Sequence, residues 1–98
     1  MRKYDFEKMS GIWKDEARKI TDNGVFVAHS SNWDLWAYDG MIYSIPVKGS
    51  GAGASCWCGL ANLYHHLYHL SHVCNYDGMI PKYWENVNYD FLGKFGIA

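Results

Sequence analysis

The residues best equipped for chemistry lie between Gly49 and Tyr76, a stretch of 28 residues with no Asp, Glu, Lys or Arg. Two thiols, Cys56 and Cys58, sit early in it. His65, His66, His69 and His72 follow, and Cys74 comes near its end. On a helical wheel His65, His69 and His72 fall within about 60° of one another. Histidines at i and i+4 leave a helix from the same face, so they can converge on one metal ion. Thiolate and imidazole together favour zinc. The whole string cannot close as one site, because a continuous helix would hold Cys58 and Cys74 about 24 Å apart. Zinc–sulfur bonds span only about 2.3 Å. A single site must therefore gather at one end. The expected zinc ligands are Cys56, Cys58, His65 and His69, with His29 as the alternate to His69. A C-terminal set of His69, His72 and Cys74 is the other choice. Such a zinc would staple the domain, since the stretch offers no carboxylate to act as a base. The same residues also read as ordinary half-buried positions, because cysteine packs as a small hydrophobe and neutral histidine tolerates a helix face.

A second constellation is aromatic. The chain has five Trp, eight Tyr and four Phe. Trp33 and Trp36 precede a hairpin turn, Tyr38 and Tyr43 flank it, and Tyr83 and Trp84 lie in the C-terminal segment. Exposed Trp and Tyr are the usual anchors of protein–protein contacts. These six are the expected partner-binding residues. The competing expectation is that the rings build the core of a small domain.

Both constellations need elements to position them. Phe6, Met9, Trp13, Ala17 and Ile20 recur at helical spacing and predict a helix over 5–21, with Asp5 as N-cap and Asp22-Asn23-Gly24 as the stop. Gly11 costs that helix about 1 kcal/mol relative to alanine. Three strands follow, at 25–29, 33–38 and 41–47. Asp39-Gly40 makes the two-residue turn between the last two, since glycine accepts positive φ. Residues 49–55 predict a flexible loop, and 59–74 a second helix with a leucine stripe. A short helix is expected around 82–87, then a tail packed by Phe91, Leu92 and Phe95. The pentapeptide Tyr-Asp-Gly-Met-Ile occurs at 38–42 and again at 76–80, which predicts two similar turns. The fold class is α+β in α-β-β-β-α order. A three-stranded antiparallel sheet would be packed by two helices on one face, with an aromatic C-terminal segment added, all in one domain over 1–98.

Several functions are disfavoured. At 98 residues the chain has room for one core. No unbroken apolar run exceeds four residues, so no membrane span is expected. A net charge of −1 argues against a general nucleic-acid or anionic-membrane binder. Three cysteines without a leader-like start suit a reducing, cytoplasmic setting. The Gly-rich loop lacks the Gly-Lys-Ser/Thr ending of a phosphate-binding loop.

Three resemblances bear on function. Ser55-Cys56-Trp57 before a helix resembles the nucleophile segment of papain-like cysteine proteases. It implies Cys56 as nucleophile of a small cysteine-dependent hydrolase or transferase, with His29 as base in permuted order. The resemblance covers three residues, and that family's His and Asn lie downstream of the cysteine. The element order resembles the double-stranded RNA-binding domain in topology, but the stretch matching that family's lysine cluster, 56–67, has no basic residue. In size, Met1 start, single-domain design and lack of enzyme signatures, the chain is similar in type to phage-encoded inhibitors of bacterial defence, the anti-CRISPR proteins. That similarity implies a non-enzymatic protein that occupies a CRISPR effector nuclease or another host protein and blocks it sterically, without contacting nucleic acid itself.

Overall fold

Five antiparallel strands carry the fold. The computed structural model describes residues 4–50, 53–74 and 78–97. Strands β1 (Val25–Ser30), β2 (Trp33–Tyr38), β3 (Met41–Pro46), β4 (Ser55–Gly59) and β5 (Trp84–Glu85) lie in the order β4-β3-β2-β1-β5. The helices are α1 (Trp13–Asn23), α2 (Leu63–Cys74) and α3 (Tyr89–Gly93). The α+β class is as expected, but the sheet has five strands rather than three. Among the described residues no helix is long and apolar enough to cross a membrane.

The expected first helix is divided. Gly11 adopts φ +57°, in the left-handed region that glycine enters without a Cβ clash, and the chain turns there. A 3-10 turn at Phe6–Lys8 precedes it and α1 follows. Glu7 rejoins the two pieces through Lys14 at 3.1 Å and Arg18 at 2.6 Å. These cations, Lys14 foremost, hold the Glu7 carboxyl below its ordinary range. The helix stops at Gly24, as its sequence predicts.

The β2–β3 turn is also as predicted, with Asp39 at φ +49° and Gly40 at φ +78°. The second copy of its pentapeptide begins outside the described residues.

Two strands were not foreseen. The segment Ser55–Gly59 extends the meander as β4, and α2 begins only at Leu63, after a 3-10 turn at Leu60–Asn62. Trp84-Glu85, expected in a short helix, instead pairs with Ser30 and His29 of β1 as an edge strand. The helical expectation failed because Trp84 gains more by burial against the sheet, where it is 7% exposed, than a one-turn helix returns.

Both faces of the sheet are covered, not one. Alternation along β2 sends Leu35 and Ala37 to the α2 side and Trp36 and Tyr38 to the α1 side. The larger core joins Val27, Ala28, Leu35, Ala37 and Ile42 to Leu63 and Leu67 of α2 and Leu92 of α3. Across the sheet, Ala17 and Ile20 of α1 pack on Ile45. A bulge at Val27 interrupts the β1–β2 register and turns Val27 and Ala28 to the same core. Asn88 anchors the C-terminal segment beside it. Its backbone N–H donates to the Val27 carbonyl at 2.8 Å, its side-chain amide donates to the Phe26 carbonyl at 2.9 Å, and its Oδ1 caps α3 through the Phe91 N–H.

Candidate functional site

At the end of the sheet away from the β2–β3 turn, on the α2 side, lies a cleft of about 260 Å³. Its floor follows from strand register. Leu35 of β2 pairs with Ser44 of β3, which pairs with Ser55 of β4, and all three side chains line the cleft. In the neighbouring row Ser30 stands between Trp33 and Trp84. Trp33, Trp57, Tyr83 and Trp84 supply the aromatic surface.

The walls are held in different ways. Trp84 is core-buried, and the rings of Trp57 and Trp84 meet at 62° with centroids 6.0 Å apart. His66 of α2 braces Trp57 edge-on at 4.5 Å. Tyr83 is 54% exposed and belongs to the rim. On the floor the Ser44 and Ser55 hydroxyls lie 2.8 Å apart and bond to each other. None of the described lining residues is charged.

Three of the six residues nominated as partner anchors, Trp33, Tyr83 and Trp84, thus meet at one cleft. Trp36, Tyr38 and Tyr43 lie on the opposite face, packed with Ala17, Ile20 and Ile45 around α1. Trp36 meets Phe26 edge-on at 5.6 Å, and Trp13 does the same to Tyr43 at 5.9 Å. Sequence reasoning missed Trp57 as a wall, because the bulge at Trp57 breaks the alternation that would have marked its strand.

The nominated zinc ligands are dispersed. A bulge at Trp57 shifts the β3–β4 register, so that Cys56 pairs with Tyr43 and Cys58 with Ile42. Tyr43 and Ile42 point to opposite faces, and the two thiols follow them. Burial, with a smaller contribution from the Cys56 charge, pushes the Cys58 thiol up to about 11. His65 and His69 stand exposed on α2. Among the described residues no three of His, Cys, Asp or Glu are placed to hold one metal ion.

His29 has a different partner from any nominated for it. Asp34 is fully buried, and its carboxylate receives the Tyr4 hydroxyl at 2.5 Å and lies 2.7 Å from His29 Nδ1. Trp36 Nε1 donates to the same tyrosine oxygen at 3.1 Å. The contact between Asp34 Oδ1 and His29 Nδ1 fixes the imidazole's orientation. His29 is on β1 and Cys56 on β4, with two strands between them, a lateral separation of about 14 Å. General-base transfer needs hydrogen-bond reach, and this pair lacks it.

No family model matches the chain, and neither the curated proteins nor the solved structures give a match.

Proposed function

We propose that the chain works by binding another protein, with Trp33, Trp57, Tyr83 and Trp84 as its anchor. The observation that carries this reading is the convergence of four aromatic residues, from three separate segments of the chain, on one open and uncharged cleft. Aromatic side chains in a desolvated pocket dominate binding energy at protein interfaces. In this reading the chain is not an enzyme. It is a small inhibitor acting in the cytoplasm of a host cell, of the anti-CRISPR type encoded by phages. It occupies the surface of an effector nuclease or another host protein and blocks nucleic-acid loading by bulk. With a net charge of −1 it lacks the dense carboxylate needed to imitate DNA.

The test places a photo-crosslinking amino acid at position 83 and mixes the chain with guide-loaded effector nucleases. A crosslinked complex is expected, together with loss of target cleavage. Trp33→Ala should weaken both about tenfold, the usual loss at an interface anchor, while the circular dichroism spectrum is retained. Full cleavage activity and no crosslinked protein would overturn the reading.

A further inference from the structure

The chemistry of the cleft narrows its ligand further than its shape does. Aromatic rings carry negative π faces and attract cations held against them. The rings of Trp57 and Trp84 meet at 62°, which makes a corner rather than a parallel slot. A rounded group fills a corner, whereas a flat base or sugar ring asks for parallel walls. The volume, about 260 Å³, falls just below the range of roughly 300–1,000 Å³ typical of sites for drug-sized molecules, and suits one compact group.

The floor decides which cation. A primary ammonium brings three N–H donors and a tightly held water shell, and entry strips that shell away. The described lining has no carboxylate to replace it, and its polar side chains are three neutral serine hydroxyls, of Ser30, Ser44 and Ser55, which carry no charge to offset the ammonium. A fully methylated ammonium has no N–H to satisfy. Its charge is spread over methyl groups that pack against rings without a hydrogen-bond debt.

We propose that the cleft formed by Trp33, Trp57, Tyr83 and Trp84 is an aromatic box that binds a quaternary ammonium group. This inference rests on the cleft and stands without the protein-binding reading. The group has two sources, a trimethylated lysine side chain and a choline headgroup.

Tryptophan fluorescence of the full chain, titrated with choline chloride at constant ionic strength, tests it. Saturable quenching is expected. The uncharged isostere of choline, with carbon in place of nitrogen, and methylammonium should each bind about tenfold more weakly. Tyr83→Ala should weaken choline binding and Tyr83→Phe should keep it. Tyr83 is a rim residue, so both variants are expected to fold, and thermal unfolding checks that they do. A trimethyllysine peptide titrated beside phosphocholine then identifies the source, by whichever binds more tightly. Equal affinity for the uncharged isostere, no response to choline, or unchanged binding in folded Tyr83→Ala would each overturn the proposal. Were choline silent while the position-83 crosslink still formed, the aromatic box would fall and the protein-binding reading would stand.

Discussion

Asp34 illustrates how one residue's neighbours decide its meaning. In sequence it is the lone acid in an aromatic strand. In the fold it is fully buried, with Tyr4 and His29 on its carboxylate, so that an N-terminal tyrosine is tied to a central strand. The Tyr4 partner was not legible, because 30 residues separate it from Asp34. Cys58 is the complementary case. Its type suggested a metal ligand, and the structure packs it, partly buried, against the larger core, where burial raises its thiol pKa. Its raised pKa makes a prediction about alkaline stability. The unfolded thiol ionises near its ordinary value, about 8.5, while the folded one resists up to about 11. Its contribution is therefore whole below the lower value and is lost as pH rises towards the upper one. Melting temperature should fall across that window, and Cys58→Ala should fall less steeply. Tyr43 is also raised, chiefly by burial, and contributes a decline of the same sign in both proteins. The difference between the two curves therefore isolates Cys58.

Among the elements, α1 and β1 meet at a junction that depends on a missing side chain. A Cβ on Gly24 would come within 2.6 Å of the carbonyl oxygens of both Ile20 and Ala37. Those are backbone atoms of a helix end and a central strand, and they cannot rotate away. Gly24→Ala should cost about 1–3 kcal/mol by overpacking, measured by urea unfolding. Gly40→Ala meets no atom within 4 Å, and its loss should come from its φ of +78° alone. The sequence marked Gly24 correctly as a stop, yet for a different reason. Its φ of −84° is open to any residue, so close approach rather than handedness demands glycine. The β4 segment escaped sequence reading for an allied reason. Five residues with a bulge at the centre break the period of two on which strand recognition depends.

At the scale of the molecule, a sheet buried on both sides sorts the aromatics into two populations. Trp36 packs under α1 and Trp33 borders the cleft, three residues away on the same strand. Trp36→Ala should destabilise the fold by about 3 kcal/mol. Trp33→Ala should cost distinctly less and show its effect in binding. Chemical denaturation beside the choline titration separates the two. The sequence by itself determined the α+β class, the β1–β3 meander, the glycine turn at 39–40 and the leucine stripe of α2. Each of these is a local pattern of period or turn chemistry, readable within about a dozen residues. Tertiary structure alone decided which face each tryptophan took and where the two thiols parted. It also decided that residues 33, 57, 83 and 84 share a wall. Those facts depend on strand register, and a single bulge reverses the facing of every residue beyond it, so no local pattern could carry them.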